Sequence, residues 1–226
     1  MLHKETVETG ILDLIKQLIT DHKLRDFFMV GGTALSLLIG HRISVDIDLF
    51  TQKDFDAVSL KQYLEQDYKM TDAKAIKNGV FGFINNIKID LLAHQYPLIK
   101  PLQEIEGIRM LSLEDIGAMK LHAIVNSGNR YKDFIDIFLL LEHRPLMVLA
   151  KAYENKYPNV NIQMAKNALV YFKDIDNSVP VKLIKEPVKR KVLEDRLRNA
   201  IVNTLSIYAP YDSKKQRKSQ GKNLGL

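Results

Sequence analysis

Asp46 and Asp48 stand two residues apart in Ser44-Val45-Asp46-Ile47-Asp48-Leu49-Phe50, and alternate residues of a strand face the same side. That spacing predicts two carboxylates on one face, roughly 6–7 Å apart by strand rise, with Val45, Ile47 and Leu49 turned to a core. Like charges so placed repel unless water or a cation separates them, and oxygen ligands suit hard divalent ions such as Mg²⁺ or Mn²⁺. Two acids on a solvated strand face are the plainer alternative. Asp90, in Ile87-Lys88-Ile89-Asp90-Leu91-Leu92, offers a third carboxylate on the same strand face as Lys88. Three such groups could complete a two-metal site of the kind that serves phosphoryl and nucleotidyl transfer; alone, Asp90 reads as a surface acid.

Gly31-Gly32-Thr33 precedes the acid pair. Glycines let a ligand approach the backbone, and a helix starting there would offer free N–H groups and a positive dipole end to phosphate. A plain strand-to-helix turn is the alternative. Farther along, Lys120 falls inside the apolar stripe that Leu113, Ile116, Gly117, Ala123 and Ile124 form at 100° per residue. It either snorkels to an edge or neutralises phosphates or a buried acid. Asp136 lies within Phe134-Ile135-Asp136-Ile137-Phe138-Leu139, with Asp133 one turn earlier and Arg130 three residues before that. A carboxylate in such surroundings needs a cation, as a structural ion pair with Lys120 or Arg130 or as part of an active site. The six histidines lack zinc-ligand spacing, and neither a Gly-x-Ser-x-Gly elbow nor a Walker-type phosphate loop occurs.

The run GGTALSLLIGHRISVDIDLF resembles the first motif of the DNA polymerase β-like nucleotidyltransferase superfamily and, more narrowly, of the AbiEii/AbiGii-type toxin nucleotidyltransferases. The likeness continues through Lys88-Ile89-Asp90-Leu91 and MKLHAIVNSGNRYKDFIDIFLL, covering about residues 29–142. It implies Asp46, Asp48 and Asp90 as metal ligands, Asp90 also activating an acceptor hydroxyl, and Gly31, Gly32 and Thr33 cradling phosphates. Lys120 would hold the triphosphate and, with Asp136, belong to the catalytic set; Arg42, Ser44, Arg130 and Asp133 would bind the nucleotide, and His41 would lie near the site. Where such sequences commonly carry Arg-Gly, this one has Ser127-Gly128, and Arg130 is close enough to substitute. The implied activity is transfer of a nucleoside monophosphate from an NTP to RNA, tRNA foremost, by a toxin restrained by a separate antitoxin protein. A small-molecule nucleotidyltransferase of the antibiotic-modifying kind, or a non-catalytic nucleotide-binding module, would share the same motifs.

Positioning these residues requires a mixed α/β (α+β) core: helix 5–20, a buried strand 27–30, helix 33–39, strand 44–50, helix 55–64 and a hairpin over 80–92 that turns at Asn85-Asn86. After Met110 the pattern is helical: 112–126 with Ser112 as cap, 130–142, 145–155, 161–172 and 187–205. The expected organisation is a nucleotidyltransferase-like mixed sheet flanked by helices over 1–110, a helical part over 111–210 completing a cleft, and a basic flexible tail over 211–226. That tail holds five bases against one acid, much of the formal net charge of +6, and reads as a solvated end or an RNA-contacting arm. Residues 182–198 add seven bases against three acids. A 226-residue chain that is 46% apolar and 27% charged excludes wholesale disorder, and zero Cys excludes disulfides and thiolate chemistry. With no signal-peptide pattern and no apolar run of roughly 18–20 residues, a cytoplasmic protein away from membranes is expected.

Overall fold

The apolar runs on either side of the paired glycines build one mixed sheet, seen in a computed structural model that describes residues 1–176 and 178–212. Its strands are β1 (Phe28–Met29), β2 (Ile47–Thr51), β3 (Thr71–Ile76), β4 (Gly79–Ile84), β5 (Ile87–Ala93), β6 (Gln103–Ile105) and β7 (Ile108–Met110). They lie in the order β3-β4-β5-β2-β1-β7-β6. β2 runs parallel to β5 and β1 parallel to β7, while the other neighbours are antiparallel. Ile47, Leu49, Ile89 and Leu91 are fully buried, so the alternation of β2 and β5 fixes which face meets the core. The parallel register sets Asp48 opposite Asp90.

Eight α-helices are described: α1 (Thr9–Thr20), α2 (Gly31–Ile39), α3 (Ala57–Asp67), α4 (Leu113–Asn126), α5 (Tyr131–Leu140), α6 (Leu146–Lys156), α7 (Ile162–Leu169) and α8 (Arg190–Val202). Ser112 caps α4 by accepting from Asp115 N, as its sequence predicts. α4 packs against α2 on one side and against α5, α6 and α7 on others. None of the described helices is long and apolar enough to cross a membrane.

Three expectations need correction. The sheet is wider than its sequence pattern suggests, since β3, β6 and β7 add to the expected strands. The strand predicted over 44–50 begins only at Ile47, and Val45 is 54% exposed instead of facing the core. Residues 41–44 leave the ladder because they pair with another segment: Ile43 N donates to Lys182 O and Ile184 N to His41 O. Tyr211, grouped with the tail, is buried, its N–H donating to Glu142 and its hydroxyl to Pro187 O. The rest of the tail, from 213 onward, lies outside the described residues.

Candidate active site

Asp48 and Asp90, side by side on β2 and β5, open into a cavity of about 250 Å³ together with Asp46, which stands one residue before β2. Gly31 and Gly32, at the start of α2, line the same cavity, Gly31 directly against Asp48. Gly31 has φ +71°, and a Cβ there would collide with Asp48 Oδ2; a Cβ on Gly32 would collide with the Arg42 guanidinium. The two glycines therefore admit one acid and one base against the backbone. No side chain caps the amino end of α2, so its first N–H groups remain a ready anion site. Thr33 is placed differently from expectation. Buried, its hydroxyl donates to Asp46 O and lies 2.9 Å from Ser44 Oγ, so it holds the segment carrying Asp46 in place and does not line the cavity.

The carboxylates are only partly compensated. Lys88 Nζ lies 2.5 Å from Asp90 Oδ2, and Lys132 Nζ 3.9 Å from Asp46 Oδ2. Asp90 Oδ1 is buried without a hydrogen-bond partner. Burial, with the charges of Asp90 and Asp46 nearby, pushes the Asp48 carboxyl above the usual carboxylate range. An orphaned oxygen and an acid burdened by its neighbours are what a hard divalent cation would relieve. As the side chains lie, no three His, Asp or Glu groups among the described residues converge at ligand spacing, so holding an ion would draw the carboxylates closer.

A charge network, buried except at Arg130, runs from the cavity wall inward. Lys120 Nζ is 2.8 Å from Asp133 Oδ1 and 2.6 Å from Asp136 Oδ2. Arg42 grips Asp136 through Nε (2.7 Å) and Nη2 (3.1 Å), and His41 Nε2 lies 2.8 Å from the same carboxylate. Arg130 Nε donates to Asp133 at 2.8 Å. Burial alone would raise the Asp136 carboxyl, but Arg42, Lys120 and His41 hold it well below the usual range. Burial would lower the Lys120 ammonium, yet Asp136 and Asp133 hold it above its ordinary value. Burial lowers the His41 imidazole below its ordinary value, against the pull of Asp136.

Residues 13–210 match the family model of the nucleotidyl transferase AbiEii toxin of type IV toxin–antitoxin systems. The chain belongs to the AbiEii family. Uncharacterized protein aq_aa25 of Aquifex aeolicus (strain VF5) is 33% identical over 181 residues, spanning 75% of this chain and 87% of that one. A Helicobacter pylori protein assigned as a nucleotidyltransferase shares the fold at TM-score 0.53 and 17% identity, over 96% of this chain and 95% of its own. JHP933 from the same organism aligns at TM-score 0.47 and 15% identity over 96% of both chains.

Within this AbiEii chain, Asp46, Asp48, Asp90, Gly31, Gly32, Arg42, Ser44, Lys120, Arg130 and Asp133 all reach the one cavity. Asp136, read from sequence as an ion-pair partner of Lys120 or Arg130 or as an active-site acid, is 0% exposed and absent from the cavity wall; it pairs with Lys120 and with Arg42, while Arg130 goes to Asp133. Lys132, in the first turn of α5, joins the wall without having been singled out by sequence, and helical spacing from Arg130 or Asp133 would not have placed it there. Phe50 and Met119 add apolar surface that no sequence pattern distinguishes from core.

Proposed function

We propose that this chain transfers the nucleoside monophosphate of an NTP to an RNA acceptor, tRNA foremost, as a toxin neutralised by a separately encoded antitoxin. One observation carries the reading: Asp46, Asp48 and Asp90 share a single cavity with the uncapped amino end of α2 and with Lys120. Asp46, Asp48 and Asp90 would hold Mg²⁺ or Mn²⁺, which when bound supplies positive charge to the phosphoryl oxygens and the leaving group. Asp90 accepts the proton of the acceptor hydroxyl as that hydroxyl's oxygen bonds to the α-phosphorus. The bond from that phosphorus to the bridging oxygen breaks, and pyrophosphate leaves with the electron pair. N–H groups at the start of α2 stabilise the charge gathering on the pyrophosphate. Lys120, fixed by Asp133 and Asp136, presents an ammonium to the same phosphates without having to reorganise.

The test is incubation with each of four α-labelled NTPs, Mg²⁺ and total RNA. Label is expected on RNA, falling at least ~100-fold in Asp46→Ala. The side chain of Asp46 is 38% exposed, so its loss spares the fold. Labelling that survives both Asp46→Ala and Lys120→Ala would overturn the assignment. Growth arrest on expression without the neighbouring antitoxin gene is the corresponding expectation in cells, and harmless expression of active protein would remove the toxin reading.

A further inference from the structure

A second cavity, about 600 Å³, adjoins the first, and Arg42, Ser44, Asp46, Arg130 and Lys132 belong to the walls of both. Asp176 and the run Val179-Pro180-Val181-Lys182 form one of its walls, and backbone bonds of 2.8 Å pin Asp176 and Lys182: Asp176 N to Asn129 O, and Ile43 N to Lys182 O. Small-molecule sites occupy ~300–1,000 Å³, so the second cavity is of ligand size while the first falls short of a whole nucleotide. The second is also partly apolar. Val45, which sequence patterning assigns to the core, instead lines this space at 54% exposure, with Val179 at 66%, beside Tyr131 and Pro180.

We propose that this second cavity receives the base and sugar of the donor nucleotide. The inference rests on the transfer reading above and follows from what each cavity lacks. In-line transfer puts the entering and leaving oxygens on opposite sides of the α-phosphorus. Asp90 and the start of α2 account for both, and both belong to the first cavity alone. The nucleoside must leave the phosphorus in a third direction, and the space that continues past Asp46 is the second cavity. Its valines, tyrosine and proline suit the faces of a base, and Asn129 and Asp176 supply polar groups for its edge.

Val45→Trp and Val179→Trp test this by filling the cavity from exposed positions, with circular dichroism checking the fold. In Mg²⁺, calorimetry would compare the four NTPs with inorganic tripolyphosphate, which needs the first cavity alone, and kinetics would give the KM for RNA. The expected result is a Kd for the best-bound NTP raised at least ~10-fold in both variants, with tripolyphosphate binding and the RNA KM unchanged. Unchanged NTP binding with a raised KM for RNA or a small-molecule acceptor would give the cavity to the acceptor and overturn the proposal. Unchanged behaviour throughout would overturn it too. Wild-type protein that binds neither NTP nor tripolyphosphate would instead sink the transfer reading, and this one with it.

Discussion

Asp136 shows how far one buried carboxylate can depend on its partners. Arg42, Lys120 and His41 converge on this fully buried group, and removing one side of such a pair leaves the others buried and uncompensated. Asp136→Asn is expected to cost about 3–5 kcal/mol, read as a lowered urea midpoint. Because the folded carboxyl titrates well below its unfolded value, its contribution is complete above the unfolded pKa of ~3.9 and is lost as pH falls through the depressed folded value. The gap between wild type and Asp136→Asn should therefore hold steady above pH ~5 and shrink below pH ~4. Asp48 has the opposite character, a half-buried acid among acids. Asp48→Asn should raise the Tm of protein kept in EDTA at pH 7, and added Mg²⁺ should raise the Tm of wild type while leaving the variant unmoved. A Tm that falls in Asp48→Asn would mean that this carboxylate is already compensated.

The turn from β1 into α2 brings these residues together, and it does so by omitting two side chains. Alanine at Gly31 would have to adopt a left-handed backbone at a cost of about 1–2 kcal/mol and would push Asp48 aside. Gly32→Ala would displace the Arg42 guanidinium from its seat over the turn, loosening its grip on Asp136 some distance from the substitution. Thermal unfolding of both variants, with NTP affinity measured alongside, checks this. Lower Tm and weaker NTP binding are expected together; a variant that keeps both would show that the turn has room. Such local chemistry is legible in the sequence: the Gly-Gly turn, the alternating β2 and β5, the Asn85-Asn86 hairpin with φ of 51° and 63°, and the Ser112 cap. The outer strands carry weaker signals. Asn78-Gly79 is a hairpin dipeptide, yet β3 beside it is half polar and mostly exposed, so its alternation has no buried face to mark it. β6 and β7 have three residues each, joined at Glu106-Gly107 with φ of 54° and 77°, too few to show a period. The places of Val45 and Thr33 are not legible locally, because exposure at a cavity and hydrogen bonding to Asp46 depend on segments distant in sequence.

Across the whole molecule, charged side chains tie the first 110 residues to the C-terminal helices. Asp136 on α5 meets Arg42, and Lys156 on α6 donates to Asp115 and to Pro97 O, while Asp115 accepts from Ile99 N and Lys100 N. We propose residues 1–110 and 111–210 as two parts of one cooperative unit, with the substrate cleft along their junction. The surface through which that unit would meet RNA is narrower than its count of bases. Of the bases in 182–198, Arg196 is committed to the fold: its guanidinium packs 3.9 Å from the Phe138 ring centroid and 2.7 Å from Glu142 Oε1. Arg198 and Arg190 share Glu194. Lys185, Lys189 and Lys191 are exposed, and phosphate binding by such lysines releases counterions, making affinity salt-dependent. Reversing all three to glutamate should weaken RNA binding and flatten the slope of log K against log salt by about 0.9 for each phosphate no longer neutralised, with NTP affinity unchanged. Arg196→Ala should act differently, lowering the Tm because it removes packing and an ion pair while leaving the salt slope as in wild type. A triple reversal that changes neither RNA affinity nor its salt dependence would place the RNA-binding surface elsewhere on the molecule.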